Sequence, residues 1–214
     1  MAGAVSDLTA LLRHRIVPVV VLSELETALT TAVALKEGGL PVAEVTFRTD
    51  TAVEAIRAIA AGNGLLVGAG TVVRPEQVDA AVDAGARFVV TPGFSARVVE
   101  RCRELGVPVI PGVATATEVI AALDHGLELL KFFPAEAAGG IAALKALAGP
   151  FPGVRWIPTG GISATNAASY LALPSVAAVG GSWMVAPDLI AQRDFGAVTR
   201  LAREAVSLGA EAAR

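Results

Sequence analysis

The sequence predicts an α/β protein, a (β/α)8 barrel of the TIM type with a short extra N-terminal helix, built as a single domain over residues 1–214. Three observations carry that expectation. Short apolar runs alternate eight times with alanine-rich helical stretches. Spread over eight repeats, 214 residues leave about 27 per unit, enough for one strand and one helix. The apolar runs are nearly continuous, as in parallel strands covered on both faces. The alternative is a doubly wound open sheet. That fold has fewer strands and a glycine-rich fingerprint after the first one, whereas Ser23-Glu24-Leu25 stands there.

In chain order, residues 6–13 form the extra helix. The strand runs lie at 16–22, 42–47, 65–69, 87–91, 107–110, 127–131, 154–157 and 176–179. The helical patterns lie at 24–37, 51–61, 75–84, 96–105, 115–125, 139–148, 163–171 and 195–208. The first five end at Gly38-Gly39, Gly62, Gly85, Gly106 and Gly126, where a helix C-terminus favours a left-handed residue.

Composition narrows the function. Hydrophobic residues make up 54 % of the chain and charged residues 17 %, so it can bury a large core and is not disordered. Seventeen Lys and Arg stand against 20 Asp and Glu, a net charge of −3, and no basic surplus points to nucleic acid or an anionic membrane. The mean hydropathy is +0.62, but it comes from alanine and valine spread through the chain. The longest apolar run is far short of the roughly 18 residues a membrane span needs. The N-terminus, MAGAVSDLTALLRHR, lacks a basic segment followed by an apolar core, so no secretory signal is expected. One cysteine cannot form an internal disulfide, which fits a reducing cytoplasm.

In such a barrel the functional residues sit at the C-terminal ends of the strands. Lysine is the sharpest signal there. The three lysines are Lys36, Lys131 and Lys145. Lys36 lies beside Glu37 near a helix end, and Lys145 lies inside a helix. Lys131 instead ends the sixth strand, before Phe132-Phe133. Desolvation there favours the neutral amine, the nucleophilic form. The alternative is a structural lysine paired to a carboxylate.

Strand parity supplies a partner. On the second strand Val42, Glu44, Thr46 and Arg48 share one face, while Ala43, Val45 and Phe47 share the other. The second set is wholly apolar and suits the outer helices, so Glu44 points into the barrel. Leu127, Leu129 and Lys131 share a face on the sixth strand. Strands two and six face each other across an eight-membered ring, so the two charges can converge. A buried carboxylate without a partner is costly. Arg48 is placed to grip a carboxylate, and Thr71 offers a hydroxyl nearby. Gly160-Gly161-Ile162-Ser163 and Gly180-Gly181-Ser182 follow the last two strands, where barrels often bind phosphate on main-chain N–H groups. Cys102 reads as core, His125 as a helix C-terminal residue, and His14 lies on the opposite face. So scattered, they form no metal cluster.

These residues resemble the 2-keto-3-deoxy-6-phosphogluconate (KDPG) aldolases, which also act as 4-hydroxy-2-oxoglutarate (KHG) aldolases. The matching segments are VPVVVL, AEVTFRT, VGAGTV, TPG, IPGVAT, KFFPAE, GPF, PTGGIS and VGGSW, in order across most of the chain. Phe47 stands where leucine is expected, on an outward-facing position. The resemblance implies a metal-free class I aldolase with no cofactor, usually a homotrimer, acting on a small 2-keto acid sugar phosphate. It implies Lys131 as the Schiff-base lysine and Glu44 as the general acid/base. It places the substrate carboxylate at Arg48 and Thr71, and the substrate pocket at Pro92, Phe133 and Thr159. It places the phosphate at Gly160, Gly161, Gly181 and Ser182. Still open are the phosphogalactonate epimer as substrate, a phosphate-binding barrel enzyme without a covalent lysine, and a catalytically silent sugar-phosphate binder.

Overall fold

The computed structural model describes residues 2–62 and 64–211. The chain runs through α1 (Ala2–Leu12), β1 (Ile16–Val20), α2 (Ala28–Glu37), β2 (Val42–Thr46), α3 (Ala52–Ala61), β3 (Leu66–Gly70), α4 (Pro75–Asp83), β4 (Val89–Val90) and α5 (Ala96–Glu104). It continues through β5 (Val109–Ile110), β6 (Gly112–Val113), α6 (Ala116–Asp124), β7 (Leu129–Phe132), α7 (Gly140–Ala148), β8 (Arg155–Pro158), α8 (Ala167–Leu171), β9 (Val179–Gly181), α9 (Pro187–Ala191) and α10 (Phe195–Glu211).

The strands pair in parallel as β5-β4-β3-β2-β1-β9 and β6-β7-β8. β5 and β6 are two halves of one strand interrupted at Pro111, which has no N–H to give the ladder. Bridges Trp156↔Val176 and Thr159↔Gly180 join β8 to the β9 segment. The ring therefore closes as the expected eight-stranded barrel, with the helices outside it.

Strand parity sorts the core into two layers. Val17, Val42, Phe88, Val90, Ile110, Ile157 and Ala178 pack together inside the ring. Ala43, Val45, Leu130, Phe132 and Trp156 pack outward against the helices. Gly68 makes the interior possible, because a Cβ there would stand 2.3 Å from the Phe88 ring. The N-terminal helix closes the bottom. Its Leu11 is fully buried in the inner cluster, and Leu11→Ala would cost about 2–5 kcal/mol.

Several boundaries differ from the sequence reading. Gly39, Gly85, Gly106 and Gly126 are left-handed as expected, but Gly62 has φ −78 and the left-handed residue is Gly64. The helix expected over 163–171 is confined to Ala167–Leu171. The Asn166 side chain accepts from Ser163 N–H at 2.8 Å and donates to Gly161 O at 3.0 Å, shaping a turn instead of a first helical turn. The last strand sits at Val179–Gly181, not 176–179, and α9 was not expected at all.

Candidate active site

β2 and β7 lie on opposite sides of the ring and aim their charged residues at its centre. Lys131 Nζ stands 3.4 Å from Glu44 Oε1. Lys131 is 5 % exposed and Glu44 3 %. Removing either member of such a pair leaves a buried charge uncompensated, at a cost of about 3–5 kcal/mol. The floor beneath them is apolar, from Leu11, Val17, Val90, Ile110 and Ile157. A neighbouring strand makes the room. Gly70 of β3 is glycine because a Cβ there would stand 2.2 Å from Glu44 Oε1.

Above the pair opens a cavity of about 370 Å³, and every site residue that the family resemblance implies lines it. Arg48 is exposed at its rim. Its Nε donates to Thr46 Oγ1 at 3.3 Å, and the Thr46 hydroxyl donates to Val20 O at 3.2 Å. That chain tethers the guanidinium to the strand while one fork of N–H groups remains for an anion. Thr71 lies just past β3 with φ +59. A β-branched residue there is strained by about 1–3 kcal/mol, and such strain concentrates at functional sites. Pro92 contributes from the loop after β4. Phe133 turns its ring towards the amine, with its centroid 5.0 Å from Lys131 Nζ. Thr159 is 5 % exposed, and its hydroxyl donates to Ile157 O at 3.3 Å.

The far wall is made of main chain. Gly160 and Gly161 have φ +98 and +79, so two successive residues occupy the left-handed region. A Cβ on Gly180 would stand 2.3 Å from Thr159 Oγ1, and one on Gly181 2.0 Å from the Trp183 ring. Backbone conformation therefore requires glycine at 160 and 161, and close packing requires it at 180 and 181. Gly181 is itself a strand residue, paired with Pro18. The loop expected to begin at Gly180 thus begins at Ser182, which is exposed. Val19 and Ile162 also line the cavity and were missed. β1 is buried along its whole length, so burial there leaves no period to read.

The remaining candidates fall elsewhere. Lys36 and Lys145 are exposed. Cys102 is buried, and burial pushes its thiol up to about 12, leaving it inert. His125 pairs its Nδ1 with Ala121 O at 2.9 Å and packs edge-on against Phe94. Among the described residues no three His, Cys, Asp or Glu side chains gather in a way that could hold a metal ion. No helix among them is long and apolar enough to cross a membrane. A groove of about 380 Å³ between α2 and α3 is lined mainly by Leu29, Ala32, Val33, Ile59 and Leu65, without a buried ion pair.

Comparison with known proteins gives the same direction. The family model described as KDPG and KHG aldolase matches residues 8–201. The KHG/KDPG aldolase of Escherichia coli (strain K12) is 50 % identical over 192 residues, covering 89 % of this chain and 90 % of its own. The 2-keto-3-deoxy-6-phosphogluconate aldolase of Zymomonas mobilis ZM4, solved with 3-phosphoglycerate, superposes with a TM-score of 0.91 at 41 % identity, over 96 % of this chain and 97 % of that one. The KDPG aldolase from Legionella pneumophila, solved with pyruvate captured at low pH as a covalent carbinolamine intermediate, gives a TM-score of 0.85 at 45 % identity, over 88 % and 92 %. Likeness of this extent, on a barrel whose one buried lysine meets a buried glutamate, makes the chain a member of the KDPG and KHG aldolase family.

Proposed function

We propose that the chain is a class I, Schiff-base aldolase that cleaves 2-dehydro-3-deoxy-6-phosphogluconate to pyruvate and glyceraldehyde 3-phosphate. It would also split 4-hydroxy-2-oxoglutarate into pyruvate and glyoxylate. The observation that carries this reading is the buried Lys131–Glu44 pair at 3.4 Å on the cavity floor.

The reaction follows from the residues. Glu44 takes a proton from the Lys131 ammonium, and the freed amine attacks the C2 ketone to give a carbinolamine, the kind of species captured in the Legionella relative. Glu44 delivers the proton with which water leaves, and an iminium remains. Glu44, now a carboxylate, takes the proton of the C4 hydroxyl. The C3–C4 electrons move into the iminium, giving an enamine, and the aldehyde half departs. Protonation at C3 and hydrolysis release pyruvate and free Lys131. The iminium is the electron sink, so the scheme needs neither metal nor cofactor. Arg48 and Thr71 hold the substrate carboxylate, while Pro92, Phe133 and Thr159 shape the pyruvyl site. Gly160, Gly161, Gly181 and Ser182 surround the phosphate. The chain acts as one barrel domain, in the cytoplasm and as a homotrimer.

Turnover tests the reading. Purified protein incubated with the phosphorylated substrate releases pyruvate and glyceraldehyde 3-phosphate in equal amounts. Substrate binding without release of either product would leave the silent-binder alternative standing.

A further inference from the structure

The KFFPAE segment ends in a residue to which the aldolase chemistry gives no task. Glu136 lies on the loop after β7, five positions beyond Lys131. Its carboxylate Oε1 accepts from the hydroxyl of Tyr170, the chain's single tyrosine. Tyr170 is fully buried on α8, the helix that follows the Gly160-Gly161 turn. Burial, and after it the hydrogen bond and charge of Glu136, hold this phenol above its ordinary pKa, so it remains a donor.

The Glu136 end of the contact grips that turn. Glu136 N–H donates to Gly160 O at 3.1 Å, and Ala135 N–H to Thr159 O at 2.8 Å. The stem of Glu136 covers Gly161. A Cβ on that glycine would stand 2.6 Å from Glu136 Cβ and Cγ, nearer than from any carboxylate oxygen. Asn166 holds the other side, donating to Gly161 O at 3.0 Å. The turn needs such support because Gly160 and Gly161 carry no side chains of their own and lose much conformational freedom on ordering.

We propose that Glu136 and Tyr170 are positioning residues for the phosphate half of the cavity, acting as a clasp between the lysine-bearing strand and the glycine turn. The Tyr170 hydroxyl occupies the carboxylate and keeps the apolar stem against Gly161. Without that donor the stem loosens from Gly161, and the turn that it covers loses its support. The inference rests on the proposed aldolase function and adds residues that hold the phosphate half of its cavity in shape.

The test uses the full-length chain and three variants: Tyr170→Phe, Glu136→Ala and Glu136→Gln. The substrates are the phosphorylated gluconate derivative and 4-hydroxy-2-oxoglutarate, with inorganic phosphate as a competing probe. Tyr170→Phe and Glu136→Ala raise KM for the phosphorylated substrate by about tenfold, the lower range for losing a hydrogen bond to a charged group. Their kcat stays within about twofold, and the inhibition constant for phosphate rises in parallel. Glu136→Gln keeps both stem and acceptor and stays within about threefold of the parent. For 4-hydroxy-2-oxoglutarate, kcat/KM moves less than about twofold in all three. Equal losses on the two substrates would reduce the contact to general folding support and overturn the proposal. So would an unchanged KM in Tyr170→Phe or Glu136→Ala, or a Glu136→Gln as impaired as Glu136→Ala. A parent protein that releases no pyruvate from the phosphorylated substrate defeats the aldolase reading itself, whereas an active parent with unaffected variants defeats the clasp alone.

Discussion

The two halves of the cavity are built from different materials. On one side, Lys131 and Glu44 are charged side chains, 5 % and 3 % exposed, carried inward by strands from opposite sides of the ring. On the other, Gly160, Gly161, Gly180 and Gly181 present main chain, and the serine that follows them, Ser182, is exposed. The contrast separates two tasks. Moving protons and forming a covalent bond needs particular functional groups at fixed spacing in a dry environment. Holding a dianion needs several N–H donors close together, which the backbone supplies once side chains are out of the way. A substitution in the first half should therefore strike every substrate alike. One in the second half should strike only the phosphorylated one.

The largest effect is expected at the carboxylate. Glu44→Gln keeps the size of the side chain and removes its proton transfer, so kcat should fall by about 10²–10⁴-fold on both substrates. Steady-state rates with the phosphorylated gluconate derivative and with 4-hydroxy-2-oxoglutarate measure this side by side. A loss confined to one substrate would break the division between the halves.

A smaller and selective effect is expected across the cavity. Ser182→Asp places a carboxylate where the phosphate should bind. The lost hydrogen bond to a charged group contributes about 1.5–3 kcal/mol, and repulsion adds to it. The kcat/KM for the phosphorylated substrate should fall on the order of 100-fold. That for 4-hydroxy-2-oxoglutarate should change less than about fivefold. Using one purified variant for both controls for folding damage. Equal losses would remove Ser182 from the phosphate site.

The smallest effect is none. Exhaustive chelation should leave kcat within about twofold, because an iminium serves as the electron sink. Activity lost with a chelator and restored by a divalent ion would replace the side-chain chemistry of the first half by a metal mechanism.

The same contrast explains what the sequence made legible. The lysine and glutamate were readable because a strand's period of two assigns each residue to a face, and a charge among apolar neighbours stands out. The glycine pairs stood out as candidate phosphate loops, but the reason each position is glycine was not legible. Gly70 and Gly180 clear space for Glu44 and Thr159 across strand neighbours, and no local pattern encodes such a neighbour. The Glu136–Tyr170 contact was hidden for the same cause, since the two residues lie 34 positions apart and meet only because β7 and β8 pair side by side. Boundaries drifted most where the chain leaves the strand–helix period. Asn166 diverts the start of α8, and the last strand begins three residues later than its apolar run suggested.

The claim that organises all of this is that Lys131 forms the covalent bond. Incubation with pyruvate and borohydride, followed by peptide mass mapping, tests it directly. The account predicts one stable adduct, located on Lys131, and none in Lys131→Ala, whose turnover should fall by more than about 10⁴-fold. An adduct on Lys36 or Lys145, or full turnover with no adduct at all, would contradict it.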